Sequence, residues 1–180
     1  MAGAKTAAAR QAAEPQVLVR DGDHLIFVYE RFLATIWQVE TRPDAVQQLV
    51  RFAAELAARL RPSRYCLLTV VEQSAVLPTA AVRADLANML RDSTPHLIRF
   101  ATAIEGSGFR AAAVRGVATS IAILSRQEFP HRVFASTDAA LPWLVEGLAR
   151  ELGAAPGVEE LASVLDYLRR PALSGTQLRR

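Results

Sequence analysis

The segment that most constrains the fold is residues 96–148, where the spacing of apolar residues alternates between strand and helix. Residues 96–104 and 131–135 are short apolar runs typical of strands. Between them, residues 109–124 predict a helix that is apolar on almost every side. Residues 136–148 predict a second helix, which starts at a serine cap. Strands that alternate with helices predict an α/β domain.

The chain before this segment predicts two or three antiparallel strands and then a helix. Asp21-Gly22-Asp23 separates two short apolar runs, which is the arrangement of a β-hairpin. Residues 32–39 form a third run that is rich in strand-favouring residues. Thr41 is then a candidate helix cap, with Pro43 in the first turn and Asp44 completing a capping-box-like pattern.

Three further elements complete the predicted order. Residues 65–71 are a continuous apolar run bounded by turn residues, which predicts a strand buried on both faces at the centre of the sheet. A helix follows from Pro78-Thr79, and residues 158–169 predict a final helix with acidic residues at its start and arginine at its end. Pro142 fits its own helix only if that helix begins at residues 138–140, because a deeper proline removes a backbone hydrogen bond.

These elements predict a single α/β domain over residues 16–153. Residues 1–15 are expected to be a flexible tail and not a signal peptide, because they lack the apolar stretch that a signal peptide needs. Residues 154–180 are expected to hold the final helix and a disordered tail. Since no apolar window approaches the roughly 18 residues that a membrane span needs, we expect no span and a cytoplasmic location.

The net charge of +3, from 21 basic and 18 acidic residues, raises the question of nucleic-acid binding. Residues 16–153 contain 15 arginines and 14 acidic residues, which leaves a net charge of only +1. A nucleic-acid interface would concentrate basic side chains on one face or helix. The interspersed charges therefore argue against nucleic acid as a partner.

The residue types that usually carry catalysis or bind metal form no known motif here. Cys66, the one cysteine, lies in an apolar run and is expected to be a buried, unreactive thiol. His24, His96 and His131 lie near the starts of predicted strands, where we expect them at the surface, and they lack the third ligand of a zinc site. No Gly-x-Ser-x-Gly turn supports a serine nucleophile. We therefore expect no enzyme activity, no metal and no cofactor.

A turn before the apolar helix is a candidate binding site for an anion or another ligand. Gly106, Ser107, Gly108 and Phe109 lie where that helix begins, and its free backbone N–H groups can hold a phosphate or a carboxylate. The glycine spacing matches neither the dinucleotide-binding motif nor the P-loop. An ordinary capped turn is the alternative interpretation.

The end of the 96–148 segment resembles a known family. Residues 132–144 have the sequence RVFASTDAALPWL, in which Phe134, Trp143 and Leu144 are packing positions. The segment from Arg99 to Leu144 resembles the SpoIIAA-like branch of the bacterial STAS-like proteins, and residues 132–144 resemble the closing motif of that family. The resemblance implies an α/β fold: a mixed β-sheet of about five strands with helices packed mainly on one side. The chain would add an extra C-terminal helix.

Relatives in the wider STAS family are binding and regulatory modules, and some are switched by phosphorylation of a serine after a central strand. The corresponding junction here is residues 72–79, which makes Ser74 and Thr79 the candidate phosphorylation sites. The junction lacks the Asp-Ser-[Ser/Thr]-Gly pattern of those relatives. A strand-end serine and a helix cap are the alternative interpretations.

Two functions are consistent with these features. The first is a non-catalytic regulatory or scaffolding module that binds another protein or a second copy of this chain, because helix 109–124 is either deeply buried or part of an interface. The second is a domain that binds or carries a small anionic or apolar molecule. A buried pocket lined by Phe109, Val117 and Ile121 would favour the second function.

Overall fold

The computed structural model describes residues 13–170, so most of the expected N-terminal tail and all of residues 171–180 lie outside the described residues. The strands are β1 (Gln16–Arg20), β2 (His24–Tyr29), β3 (Phe32–Trp37), β4 (Tyr65–Val71), β5 (Leu97–Ile104) and β6 (His131–Phe134). The helices are α1 (Pro43–Leu60), α2 (Ala80–Asp92), α3 (Gly108–Ser125), α4 (Thr137–Leu152) and α5 (Val158–Arg169). None of these described helices is both long enough and apolar enough to cross a membrane.

The strands within residues 13–170 form one six-stranded sheet, in which the spatial order follows the order along the chain. β1, β2 and β3 pair antiparallel, as the predicted hairpin requires, and β3 to β6 pair parallel. The α/β class is therefore confirmed, but the sheet has six strands and not about five. The family resemblance implied about five strands. The structure has six because every strand-like run of the sequence joins this sheet.

Helices cover both faces of the sheet, so the prediction that they pack mainly on one side is wrong. α1, α2 and α3 connect parallel strands that progress in one direction, and right-handed crossovers place all three on one face, here called the crossover face. α4 and α5 pack on the opposite face, where Leu144 and Leu165 are buried. This second layer is needed because β4 is apolar on both sides, with Leu67 towards the crossover face and Leu68 towards α4.

The start of α1 differs from its prediction. Arg42, and not Thr41, is the capping residue, and its side chain makes no capping hydrogen bond to the described helix. Its guanidinium instead contacts Asp21 and Asp44, each at 3.2 Å, and also Asp23. Arg42 therefore ties the β1–β2 turn to the first turn of α1.

The start of α4 places Pro142 deeper in the helix than expected. α4 begins at Thr137, and the Ser136 side chain accepts a hydrogen bond from the Ala139 N–H at 3.3 Å, as a helix cap does. Pro142 is thus the sixth helical residue, although we expected the helix to begin at residues 138–140. Pro142 is exposed, so water can reach the side of the helix where the backbone hydrogen bond is missing.

The contact between α4 and β5 is closest at Gly147. A β-carbon at this position would lie 2.3 Å from Arg99 Cδ. Arg99 is held in place, because its guanidinium lies 4.8 Å from the centre of the Trp143 ring and 3.0 Å from a Glu146 carboxylate oxygen. Glycine is therefore required here for packing.

We predict that Gly147→Ala lowers the free energy of unfolding by about 1–2 kcal/mol, because the new methyl group displaces Arg99 from its partners. Gly116→Ala on α3 is the matched control, since a β-carbon there meets no atom within 4 Å. Alanine should stabilise that helix by roughly 0.5–1 kcal/mol. Urea denaturation of both variants measures the difference, and equal effects would contradict the assigned contact.

Candidate functional site

A cavity of about 80 Å³ lies between the crossover face of the sheet and α3, and we call it the α3 cavity. Strands β3 to β6 form its floor, and its walls come from helices. The apolar helical residues that line it are Leu49, Leu86, Met89, Leu90, Val114, Val117, Ala118 and Ile121. Within residues 13–170, no Asp, Glu or Arg side chain lines this cavity. Val76 and Leu77 also line it and are 48% and 47% exposed, so the cavity reaches the surface at this loop.

Three threonines lie side by side across the sheet beneath this cavity. Thr35 of β3 pairs in register with Thr69 of β4, and Thr69 pairs with Thr102 of β5. All three face α1–α3, because residues two positions away on the same strands, such as Leu67 and Phe100, belong to that layer. We call these residues the threonine row. Thr69 and Thr102 line the cavity, and Thr35 is the next residue of the row, on β3.

The hydroxyl group of Thr35 is unusual in its surroundings. Thr35 is fully buried, and its Oγ1 has no hydrogen-bond partner among the described residues. A buried polar group without a partner costs about 1–3 kcal/mol, and native proteins rarely contain one. The Thr35 hydroxyl at the edge of the threonine row therefore has a hydrogen-bonding capacity that the surrounding described groups do not use.

His131 of β6 continues the row on its other side. Its Nε2 lies 3.1 Å from Thr102 Oγ1, and its ring stacks on Phe100 with the ring centroids 4.3 Å apart. Burial lowers the pKa of His131 to about 4, so the imidazole is neutral at neutral pH. A neutral imidazole has one donor and one acceptor nitrogen, so His131 can complement Thr102 in either direction.

α3 separates the cavity from solvent and has two different faces. Val117 and Ile121 line the cavity as expected, but Phe109 does not, because it is 92% exposed. Ile123 and Leu124 are also exposed, at 71% and 55%, and with Phe109 they form what we call the outer face of α3. The helix is therefore not deeply buried. Its expected role in an interface stays a prediction.

The predicted anion site forms an exposed turn after β5. Gly106 and Gly108 have φ values of 96° and 80°, which favour glycine, so the turn depends on both. The Ser107 side chain makes no capping hydrogen bond to the described helix, and Phe109 is exposed. The fold keeps these four residues together, but none of them lines the α3 cavity. Anion binding at this turn stays a prediction.

The two candidate phosphorylation sites both have structural partners. The Ser74 hydroxyl donates a hydrogen bond to the Gln38 carbonyl. Thr79 caps α2, because its Oγ1 accepts a hydrogen bond from the Val82 N–H at 3.3 Å. Arg110 of α3 donates to the Ser74 carbonyl at 2.8 Å and so holds the start of α3 to this loop. Phosphorylation of Ser74 or Thr79 stays a prediction.

The structure corrects the expected position of one histidine. His24 is fully buried and stacks on Trp37, its partner in the β2–β3 register. His96 and His131 are both partly exposed, and His131 also lines the α3 cavity. Cys66 is buried, and burial raises the pKa of its thiol to about 12, so the unreactive thiol form persists at neutral pH. Within residues 13–170, no three His, Cys, Asp or Glu side chains come close enough to hold a metal ion.

A group of charged side chains lies at the carboxyl ends of β4 and β5. Arg169 of α5 lies 3.3 Å from Glu105 and 3.5 Å from Glu72, and it donates a hydrogen bond to Thr137 Oγ1 at 2.7 Å. Burial alone would raise the pKa of Glu105, but hydrogen bonds from Thr137 and the charge of Arg169 outweigh this effect and lower it. These groups bond to one another and attach α5 to the sheet, which is a structural role.

The chain matches no protein-family model, no curated protein and no solved structure. The α3 cavity is therefore the candidate site because of its geometry alone. This cavity combines apolar walls with a few converging polar groups, which is the usual composition of a small-molecule site.

The threonine row was not predicted from the sequence, although it leaves a weak signal there. Each threonine occurs within an apolar run: Ala-Thr35-Ile, Leu-Thr69-Val and Ala-Thr102-Ala. Because threonine is β-branched and common in strands, one such residue indicates only a strand. What distinguishes the three residues is the register that aligns them, and that register is a property of the folded sheet.

We predict that His131 titrates with a pKa of about 4, well below the ordinary histidine value of 6.5, because burial disfavours the charged imidazole. NMR titration of the imidazole protons measures this pKa, and His131→Gln assigns the resonance by removing it. A midpoint near 6.5 would mean that the ring is solvated and does not line the cavity.

Proposed function

We propose that this protein is a binding module that holds a small, mainly apolar molecule in the α3 cavity. The observation that carries the proposal is the pair Thr69 and Thr102 at the floor of a mainly apolar cavity. The buried, unpartnered hydroxyl of Thr35 lies next to them in the threonine row. A site that existed only for stability would be better filled by apolar side chains, since a buried hydroxyl without a partner is destabilising. A bound molecule with an apolar part and a polar group would contact both the apolar walls and the threonine row.

The size of the cavity limits the part of a ligand that it can enclose. An engineered cavity of about 150 Å³ holds benzene, so the α3 cavity of about 80 Å³ accepts roughly three or four non-hydrogen atoms. A longer molecule would extend to the surface between α3 and the loop that carries Val76 and Leu77.

A second candidate function is a regulatory or scaffolding module that binds another protein, as the resemblance to the STAS-like proteins implies. The observation that favours it is the outer face of α3, where Phe109 and Ile123 are 92% and 71% exposed. Exposed large apolar side chains on one helix are typical of protein–protein contacts. The partner would be another protein or a second copy of this chain.

Xenon tests the first function, because it is a neutral probe that enters dry apolar cavities. We expect saturable NMR shift changes at Val117 and Ile121 as xenon pressure rises. Ala118→Leu should weaken xenon binding at least tenfold, roughly 1.4 kcal/mol, because Ala118 lines the cavity and the larger side chain fills it. Ala112→Leu is the matched control on the exposed side of α3. Shifts that do not saturate, or equal binding to both variants, would contradict the proposed site.

Light scattering tests self-association, one form of the second function. If the outer face of α3 binds a second copy, the wild-type protein should reach a dimer mass as its concentration rises. Phe109→Ser should remain a folded monomer, because an exposed side chain contributes little to the monomer's stability. A wild-type monomer at every concentration would exclude the second copy as the partner.

A further inference from the structure

The polar groups of the α3 cavity indicate the chemical class of its ligand. Building on the proposed function, we infer that the ligand carries a neutral oxygen group, as an alcohol or a ketone does. This oxygen binds between Thr69 and Thr102, and the hydrocarbon part lies beneath α3.

The lining of the cavity favours a neutral ligand. Among the described residues, no Asp, Glu or Arg side chain lines it, and its basic group, His131, is half-buried and stacks on Phe100. A carboxylate or an ammonium group would lose its hydration and find no opposite charge, which costs far more than the burial of a neutral group. The anionic ligand considered from the sequence is therefore disfavoured at this site.

The spacing of the strands suits a single ligand oxygen. Thr69 and Thr102 are register partners on neighbouring parallel strands, and such strands lie about 4.8 Å apart. If the two hydroxyls keep the spacing of their strands, an oxygen atom about 2.8 Å from each of them bridges it at an angle of roughly 120°. One oxygen can thus contact both threonines without displacing either strand.

The neighbours of these two threonines supply donors and acceptors for either ligand class. On one side, the Thr69 hydroxyl lines the cavity and can donate one hydrogen bond and accept another, so it suits either an alcohol or a ketone. On the other side, His131 Nε2 lies 3.1 Å from Thr102 Oγ1. When Nε2 carries the proton, Thr102 donates to a ketone. When Nε2 accepts from Thr102, the free lone pair of Thr102 accepts from an alcohol.

The apolar walls define where the hydrocarbon part of the ligand lies. Met89 of α2 and Val117 and Ile121 of α3 line the cavity above the threonine row. Leu77 lines it where it reaches the surface. A ligand whose oxygen contacts the row would therefore place its hydrocarbon chain against α2 and α3, directed towards this opening.

The inference is tested by NMR titration of the protein with 1-propanol, acetone, propanoate and propylammonium, with xenon as the apolar reference. Propanol and acetone should bind at least tenfold more tightly than the two ions. Thr69→Val and Thr102→Val should each weaken propanol binding roughly tenfold and leave xenon binding unchanged, since valine keeps the shape and removes the hydroxyl. Thr69→Ser should retain propanol binding. Thr119→Val, on the exposed side of α3, is the matched control.

These titrations distinguish a failure of the inference from a failure of the proposed function. If xenon binds but neither valine variant weakens propanol binding, the ligand oxygen does not use the threonine row and the inference is overturned. If propanoate or propylammonium binds as tightly as propanol, the neutral class is wrong. If neither xenon nor propanol binds to the wild-type protein, the proposed function itself fails together with the inference.

Discussion

The fold depends on β4, a strand that carries mostly apolar side chains on both sides. Cys66, Leu68 and Val70 face one layer of helices, and Leu67 and Val71 face the other. Such a strand is stable only when both faces of the sheet are covered. The parallel crossovers supply α1, α2 and α3 to one face, and the chain that leaves β6 supplies α4 and α5 to the other. The two layers therefore follow from one hydrophobic requirement.

The two layers are not packed in the same way. On the α4 side, Leu141, Leu144 and Leu148 are buried to 1% exposure or less, and Arg99 is enclosed by Trp143 and Glu146. On the crossover side, α3 lies over a cavity, and its outer face is apolar and exposed. The regular packing of α4 stabilises the sheet, whereas the looser cover at α3 leaves a cavity beside the threonine row.

Much of the fold could be predicted from the sequence, because local patterns determine it. Both ends of β4 and of α5 follow from runs of apolar residues and their flanking turn residues. The face occupied by α4 and α5 could not be predicted, because no returning strand constrains it and the family resemblance suggested a one-sided arrangement. The depth of Pro142 in α4 was misjudged, because a proline on an exposed helix side is tolerated more readily than the pattern alone suggests.

The candidate site was far less predictable than the fold. In the sequence, the glycine turn and the apolar helix differ from their surroundings, whereas the residues that form the cavity are individually ordinary. The burial of His24 depends on what covers the start of its strand. The alignment of Thr35, Thr69 and Thr102 depends on strand register. Both are properties of tertiary structure, which a single sequence does not display.

The most direct test of this account is a crystal structure of the protein soaked with 1-propanol. The account predicts the alcohol oxygen within about 3 Å of both Thr69 Oγ1 and Thr102 Oγ1, the usual hydrogen-bond distance, with the hydrocarbon chain against α3. An α3 that packs directly onto the threonine row and leaves no space for the alcohol would contradict it.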